Sequence, residues 1–569
     1  MNLNNSNRRY RNRLLVGTAM VGATLLGFGQ SAEAACTLTV SPNYVCSGAN
    51  TTGQIVPSGI GLPLDLGDFI ALALAPANPS VTTDPGFSVT TSDPFALGIL
   101  GSGAVSYTDA NSSALSSTTG IGLGVVSLVP QVAPPYYGPN PGGSVTIDTG
   151  GAITGALIGV AAINTGDGAT TVNATGDIQS TDASGYGVVV YSQGSAATVT
   201  AGNVSGAAVG IYAINQGLTA DLSVTATGDV TASSSGYGIY AINGGQQLDV
   251  VNTVLNGTPT FSGPIAHVGK DLTVIAEGTV SGGTGIVAQN LGTGATSVTA
   301  KAAVTGISDT GIYAFNAATA MGGLTVDAMA VNGATYGVYA ENRGSGVTSV
   351  TAKGDVAGTG YTGIVAVNGT ITLNPDGTIA SVAANANATD LTVDAAAASG
   401  SDYGIYTYNA GTGDTQVTAK GAVTGTTGPG IYARTSGKNL TIDAKAVSGA
   451  NTGLVAFNFG TGATKVTAKG TVTGASGAGI LARTGTTTTG GVIVDAAGAG
   501  GGLTGIQVEN NGAGATTITA TGTVEGGDAA IKAVSSAGQA ISITTSGLVR
   551  NSSEIASLVA VETSGGPGN

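Results

Sequence analysis

The chain has 569 residues and a formal net charge of −14, with only 8% of its side chains charged and 17 of them Lys or Arg. So few basic residues exclude a nucleic-acid surface and an anionic-membrane surface, because both require clustered Lys and Arg. Intrinsic disorder is excluded as well, since Val, Ile and Thr recur along the whole chain and disordered acidic chains are poor in β-branched residues.

Residues 1–34 predict a secretory signal peptide. A basic start, Arg8 to Arg13, precedes an apolar run from Leu14 to Phe28, and Ala32-Glu33-Ala34 supplies the small residues of a cleavage site. The apolar run is shorter than the ~20 residues that span a bilayer as a helix, so removal is favoured over anchoring. Lipidation at Cys36 and a twin-arginine signal are the weaker alternatives.

The next segment, residues 35–143, differs from the rest of the chain. It holds most of the prolines and lacks the repeat described below, so we expect an N-terminal cap over the exposed end of a repeat stack. In an exported chain, Cys36 and Cys46 predict a small disulfide loop in this cap. A metal or redox role is the weaker alternative, because no His or second Cys pair lies near.

From residue 144 onward a six-residue signature recurs: Gly, a branched aliphatic residue, often an aromatic residue, usually Ala, a variable residue and usually Asn. Gly210-Ile211-Tyr212-Ala213-Ile214-Asn215 is one copy, and the copies between Gly285 and Gly363 are spaced by 26 residues. The other copies begin at Gly238, Gly311, Gly337, Gly404, Gly430, Gly453, Gly479 and Gly505.

Between signatures a second phrase alternates between two forms. GTGATSVTAKAAVTG (292–306) is followed by GGLTVDAMAVNG (322–333), so neighbouring units pair into a super-repeat near 52 residues. Each unit holds three short alternating runs bounded by Gly, Ser, Thr and Asn, a pattern that indicates strands.

Units of this size with three strands predict an all-β fold, a right-handed parallel β-helix of about 15 turns spanning residues 144–569. At the ~4.8 Å separation of paired strands the stack would measure roughly 70 Å. A propeller is excluded because its blades need four strands and ~40 residues, and it closes at about eight blades.

The two-residue period of a strand assigns faces within the signature. The Ile and Ala positions lie on the interior side, and the aromatic and variable positions lie outside. The variable position is expected to face solvent because its residues are so diverse: Ile214, Phe315, Glu341, Tyr408, Arg434 and Arg483.

The recurrent Asn has two interpretations. The favoured one is a structural ladder in which side-chain amides bond from turn to turn at a corner, and the other is a row that contacts a ligand. The residues concerned are Asn215, Asn243, Asn290, Asn316, Asn342, Asn368, Asn409, Asn458 and Asn510.

The outward tyrosines also have two interpretations. They form a candidate binding stripe for sugars or proteins, or they stabilise adjacent strands by cross-turn packing, which is the favoured interpretation. The residues concerned are Tyr212, Tyr240, Tyr313, Tyr339, Tyr406 and Tyr432.

The signal peptide, the early Cys pair in CTLTVSPNYVC (36–46) and the Gly/Thr/Val-rich repeat together resemble the passenger region of bacterial autotransporters, the type V secretion proteins. This resemblance implies a β-helical passenger, a C-terminal outer-membrane barrel and, most commonly, adhesion. The sequence ends at SGGPGN (564–569) before any barrel pattern. We therefore expect a passenger fragment, with barrel-free export as the alternative.

No catalytic, cofactor or metal site is predicted. The single His, His267, lies in an insertion, the nucleophile motif Gly-x-Ser-x-Gly is absent, and the LTVDA aspartates indicate a solvated strand face. The favoured function is a non-enzymatic exported surface passenger, an adhesin or display rod whose partner is a host-cell, matrix or glycan ligand. A secreted polysaccharide-active enzyme and a self-assembling envelope protein are the alternatives.

Overall fold

The computed structural model describes residues 36–56, 78–128, 142–217, 220–244, 248–249, 260–261, 269–375, 378–536, 538–552 and 557–563. The predicted signal peptide and His267 lie outside these ranges. Every helix or strand assigned within them is a β-strand. The chain forms two compact units, Met1–Gly283 with Val287–Ser297, and Thr284–Ile286 with Val298–Asn569.

Each unit is a parallel β-solenoid, so the predicted fold class is confirmed. Together the described strands make about 17 turns, where about 15 were predicted. A turn contributes a first, a second and a third strand, and each pairs with its counterparts in neighbouring turns. In the first unit the first strands are Asn43–Cys46, Ser80–Thr83, Ala104–Asp109, Ser144–Thr149, Thr170–Ala174, Ala196–Ala201, Asp221–Ala226 and Leu272–Ala276, and the next first strand, Thr296–Ala300, has residues in both units.

The second strands are shorter. In the first unit they are Ala49–Asn50, Ser88–Thr91, Ala114–Ser117, Ile153–Gly155, Ile178–Ser180, Val204–Ser205, Val230–Thr231 and Val280–Gly282. In the second unit the separate first and second strands are Leu324–Ala328, Thr516–Ala520 and Ile541–Thr545, and Val304–Gly306, Val331–Gly333, Val524–Gly526 and Val549–Asn551. Six longer strands there serve both positions: Gly346–Gly358, Ala388–Gly400, Thr415–Gly425, Leu440–Gly449, Thr464–Gly474 and Val492–Gly501.

The third strands contain the six-residue signature. Those of the first half of the chain are Gln54–Val56, Phe95–Gly101, Ile121–Ser127, Ile158–Asn164, Tyr186–Ser192, Val209–Asn215, Tyr237–Asn243 and Thr284–Asn290. Those of the second half are Ile312–Asn316, Tyr336–Asn342, Thr362–Asn368, Tyr403–Asn409, Ile431–Thr435, Leu454–Asn458, Ala478–Thr484, Thr504–Asn510, Ala529–Ser535 and Ser557–Thr563.

Among the residues that the structure describes, three antiparallel pairs accompany the parallel stack. Cys36–Val40 pairs with Asn43–Cys46, and the two-residue strands Leu248–Asp249 and Thr260–Phe261 pair with each other. A third pair joins Thr370–Leu373 to Ile379–Ala383 in a β-hairpin. This hairpin is an insertion between two turns, and we refer to it below as the outer hairpin.

The core of each turn contains the side chains that the signature predicts. Ile405 in the strand Tyr403–Asn409 is fully buried, and its parallel register places it beside Ile431 of the next turn. Gly404 explains why the signature begins with glycine: a Cβ there would overlap Cγ1 of Val423 in the second strand. The glycine therefore lets the second and third strands approach closely inside a narrow turn.

A distinct cap over residues 35–143 is not confirmed, because the described part of that segment already winds as a solenoid. Ser80–Thr83 pairs in parallel with Ala104–Asp109, which pairs in the same way with Ser144–Thr149. The third strand Ile121–Ser127 also aligns residue by residue with Ile158–Asn164. Glycine replaces the aromatic residue and serine replaces Asn in that strand, so the signature is present but disguised.

Candidate functional site: the outer face of the third strands

The outer face of the third strands consists of the aromatic and variable positions of the signature. In the strand Tyr403–Asn409, Ile405 and Thr407 lie inside with no exposed area, while Tyr406 and Tyr408 point away from the core. Parallel pairing then sets each outward residue beside its counterpart in the next turn. Outward residues therefore form two columns, an aromatic column and a variable column.

The predicted tyrosine stripe is present as stacked pairs. In the first unit the ring centroids of Tyr212 and Tyr240 lie 5.3 Å apart with an interplanar angle of 7°. In the second unit the pairs are Tyr313 with Tyr339 at 5.3 Å and Tyr406 with Tyr432 at 5.1 Å.

The six tyrosines do not form one open, continuous stripe. Tyr240, Tyr339 and Tyr406 are only 8%, 5% and 7% exposed. Val365 occupies the column between Tyr339 and Tyr406, which interrupts the row of rings. Burial raises the pKa of the phenols of Tyr212, Tyr339 and Tyr406 well above the ordinary value. The geometry is that of cross-turn packing, which stabilises neighbouring strands.

The outer hairpin covers part of this face. Ile371 of the hairpin is 5% exposed and belongs to an apolar cluster that includes Tyr339, Tyr406 and Tyr408. Leu373, Ile379 and Val382 of the hairpin pack against the same cluster. A two-stranded hairpin is marginally stable on its own, so this hairpin depends on the aromatic face for its order.

Glu341 attaches the outer hairpin to the solenoid. Its side chain is 2% exposed, and Oε1 accepts hydrogen bonds from Arg343 Nε at 2.7 Å and from the Ile371 backbone N–H at 2.9 Å. Tyr339 donates its hydroxyl to Oε2 at 3.2 Å. A second attachment joins the Asn385 side-chain amide to the Gly344 carbonyl at 2.7 Å.

Solvent exposure of the variable column was therefore predicted incorrectly for several members. Ile214, Phe315, Glu341 and Tyr408 are between 1% and 8% exposed, whereas Arg434 is half-buried and Arg483 is exposed. The diversity of this column reflects different covering groups in different turns. For Phe315, the covering group is the guanidinium of Arg343, 4.9 Å from the ring centroid.

The nine recurrent asparagines have no exposed area, so a ligand in solvent has no access to them. Asn458 shows their role: its amide donates to the carbonyls of Lys438, Gly462 and Ala463 at 3.1–3.2 Å, and its Oδ1 accepts from the Gly460 N–H at 2.9 Å. These bonds join the third strand to the loop that follows it and to the loop of the previous turn.

The amide-to-amide bonding that a ladder predicts is seen between Asn368 and Asn409, where Nδ2 donates to Oδ1 at 3.1 Å. Backbone carbonyls and N–H groups account for the bonds that recur from turn to turn. Thr435 stands in place of Asn in one turn, and its hydroxyl accepts from the Gly437 N–H at 3.1 Å. A short polar side chain at this corner is thus sufficient.

The outer face also contains a cluster that the sequence did not reveal, which we call the aromatic–arginine patch: Tyr403, Tyr432, Arg434, Phe457 and Phe459. The guanidinium carbon of Arg434 lies 4.9 Å from the centroid of the Phe459 ring and 4.6 Å from that of Tyr408, between the two rings. Phe457 meets Tyr432 at 5.7 Å and Phe459 at 6.1 Å, edge to face in both cases.

Every member of the aromatic–arginine patch keeps part of its surface exposed. Burial raises the pKa of the Tyr432 phenol, and the positive charge of Arg434 opposes that rise. The buried Nε of Arg434 has no hydrogen-bond partner among the described residues. The cross-turn register brings three turns together here, because Tyr403, the pair Tyr432 and Arg434, and the pair Phe457 and Phe459 lie in consecutive turns.

The aspartates of the LTVDA phrases lie on the outer side of the first strands and form ion pairs with the next turn. Asp327 contacts Lys353 at 2.7 Å, and Asp443 contacts Lys469 at 2.6 Å. Asp394 and Lys420 form the same pair at 2.7 Å. Of the two alternating phrases of the super-repeat, one therefore supplies the aspartates and the other the lysines of a series of cross-turn ion pairs.

At the start of the described chain, Cys36 and Cys46 are joined by a disulfide with an S–S distance of 1.97 Å. Within the described ranges, His, Cys, Asp and Glu side chains form no group of three or more that could hold a metal ion. No helix long and apolar enough to cross a membrane occurs there either.

No family model matches the chain, and searches of curated proteins and of solved structures found no match.

Proposed function

We propose that this protein is an exported, non-enzymatic surface passenger that acts as an adhesin or a display scaffold of the cell surface. The observation that supports the proposal is that the structural residues of each turn recur, whereas the outward residues change. Interior aliphatic residues, corner asparagines and cross-turn ion pairs recur along the solenoid, while the partly exposed stretch of the variable column changes from Arg434 to Phe457 to Arg483 to Glu509.

Such a division is what a display scaffold requires. Each turn contacts only its neighbours, so stability is a sum of local terms and the outer residues can change without loss of the fold. Burial of the interior columns contributes ~25 cal/mol for each Å² of apolar area. A parallel stack also satisfies the backbone N–H and C=O groups of its interior turns.

The proposal is tested by measuring whether the protein is exposed on the surface of cells that carry the native gene. We expect an antibody against the purified chain to label intact cells, and protease added to intact cells to remove that label. Deleting the gene should lower attachment of the cells to immobilised matrix proteins, host cells or glycans. Labelling that appears only after lysis would overturn the surface assignment.

The non-enzymatic part of the proposal is tested separately with the purified chain. Incubation with a panel of polysaccharides should release no reducing ends above the level of a heat-unfolded sample. Sustained release would reassign the protein as a polysaccharide-active enzyme.

A further inference from the structure

The aromatic–arginine patch combines two recognition elements within a single surface of the second unit. Its partly exposed rings supply flat apolar area, and Arg434 supplies a cationic hydrogen-bond donor beside the ring of Phe459. A surface that is both apolar and cationic fits a ligand that is partly apolar and partly anionic.

The packing of Arg434 fixes how it can bind. Tyr408 and Phe459 each place a ring near the guanidinium, at 4.6 and 4.9 Å from its carbon, and these contacts hold the side chain in place. The edge of a guanidinium matches two oxygens of a carboxylate or a sulfate. Holding the side chain in place in the free protein lowers the entropy cost of binding.

Two arginines lie in the variable column across the patch. Arg483 follows Arg434 two turns later in the variable column, at ~9.6 Å by the spacing of paired strands. Its guanidinium contacts Glu509 at 3.4 Å and remains half-exposed. Two cations at this regular spacing stand out on a chain whose net charge is −14.

The aromatic rings of the patch indicate which kind of molecule bears the acidic groups. Tyr432 and Phe457 lie in consecutive turns and are partly exposed, so an extended ligand that lies across the turns would contact one ring after another. Sugars stack on aromatic side chains through their apolar faces, and a linear acidic sugar chain repeats both an apolar face and a carboxylate.

We infer that the aromatic–arginine patch is a binding site for a linear saccharide that carries carboxylate or sulfate groups. This inference rests on the proposed function and names its ligand class. Arg434 and Arg483 bind the acidic groups, and the rings of Tyr432 and Phe457 pack against the sugar faces.

The test is calorimetric titration of the full chain with three probes at low salt: an oligogalacturonate, its fully methyl-esterified form and a heparin-derived oligosaccharide. The esterified probe keeps the sugar skeleton and loses the charge. We expect binding of the two anionic probes, with weaker binding as salt rises. Equal binding of the ester, or equal binding of a poly-glutamate peptide, would overturn the inference in favour of uncharged sugars or of acidic protein.

Variants localise the site. Arg434→Gln should weaken binding of the oligogalacturonate about tenfold to hundredfold, the effect of losing a charge-assisted hydrogen-bond pair. Phe457→Leu should weaken it roughly fivefold through loss of ring contact. Arg550→Gln is the matched control, because it removes an equal charge from the same unit where Arg550 pairs with Glu525.

Thermal unfolding of each variant separates binding from stability. Arg483→Gln disrupts only an exposed ion pair, so it keeps its fold and should still weaken binding about threefold. Unchanged affinity in both arginine variants, or an equal loss in Arg550→Gln, would overturn the site. Surface labelling of cells that express Arg434→Gln should be normal, so failure of this site is distinguishable from failure of surface display.

Discussion

The early turns of this protein bury a carboxyl at the end of a first strand, whereas the late turns bury amides at the ends of the third strands. In the first unit, Asp109 is 5% exposed and accepts hydrogen bonds from Thr83 and Thr149 of the neighbouring turns at 2.7 and 2.9 Å. In the second unit, buried amides such as Asn458 bond to backbone groups of adjacent loops. The interior aliphatic columns are alike in both regions.

This difference shows which part of the repeat specifies the fold and which part is interchangeable. Interior side chains such as Leu123 and Ile405 must match in size and position because they stack inside a narrow turn. The corner after the third strand needs only a short polar side chain whose bonds are satisfied, and the amide of Asn458 and the hydroxyl of Thr435 both meet that need. The comparison can be tested by substituting, one at a time, the residues that make these contacts.

The largest effect is expected from Glu341, which belongs to the region with the added hairpin. Glu341→Ala removes three hydrogen bonds and leaves Arg343 half-buried without its partner, at a cost of about 3 kcal/mol. Amide exchange in 370–383 should accelerate strongly, because the hairpin loses its attachment. The control is Glu525→Ala, which breaks an exposed pair with Arg550 and should cost under ~0.5 kcal/mol. Equal exchange rates in both variants would contradict the anchoring role.

Asp109 should give the next largest effect and a distinct pH dependence. Burial alone raises the pKa of this carboxyl, but hydrogen bonds from Thr83, Ser113 and Thr149 outweigh it and lower the pKa overall. A lowered folded-state pKa stabilises the early turns above the unfolded value near ~3.9, and that contribution is lost as the pH falls through the folded-state pKa.

Asp109→Asn should therefore flatten the acid dependence of exchange in the strand Ala104–Asp109, and Asp109→Ala should cost about 2 kcal/mol at neutral pH. The first strands of later turns supply the internal comparison, because they have alanine at this position, as Ala174 and Ala201 show. A parallel loss of protection in both regions below pH ~4 would argue that acid acts through other carboxylates.

Asn458 tests the corner of the late turns. Asn458→Ala leaves the carbonyls of Lys438 and Ala463 without their amide donor and should cost about 2 kcal/mol. Asn458→Thr should cost about half as much, because Thr435 already serves this corner one turn earlier. Local exchange in the strand Leu454–Asn458 measures both, and equal costs would show that the amide makes no special contribution.

The smallest effect is expected from the ion pairs of the first strands. Lys469→Met removes the contact with Asp443, yet both groups are largely in water, so the cost should be about 0.5 kcal/mol or less. Denaturant unfolding at low and high salt checks this, since only the wild-type pair should weaken with salt. A cost above 1 kcal/mol would show that the ladder is cooperative.

The fold could be predicted because its determinants recur in the sequence at fixed spacing. The Ile and Ala positions of the signature, the leading Gly and the buried Asn each repeat, and strand periodicity assigns their side. The outer face could not be predicted in the same way. The outer hairpin enters the sequence only as a spacing of 41 residues between Gly363 and Gly404, which does not show which side chains it covers.

The early turns and the aromatic–arginine patch were missed for related reasons. Gly124 and Ser127 replace the Tyr and Asn by which copies of the signature were recognised, although the third strands keep their register. Arg434, Tyr408 and Phe459 meet only because consecutive turns stack, and spacing alone does not predict ring-to-guanidinium geometry.

The alternation of acidic and basic turns restricts how this gene can change its length. Asp327 is followed by Lys353, and Asp394 by Lys420, so deleting one turn by recombination between repeats would bring two aspartates or two lysines to adjacent positions. Like charges at that separation repel. Loss or duplication of two turns together, about 52 residues, keeps every charge opposite its partner, so repeat number can change in steps of two without disturbing the ladder.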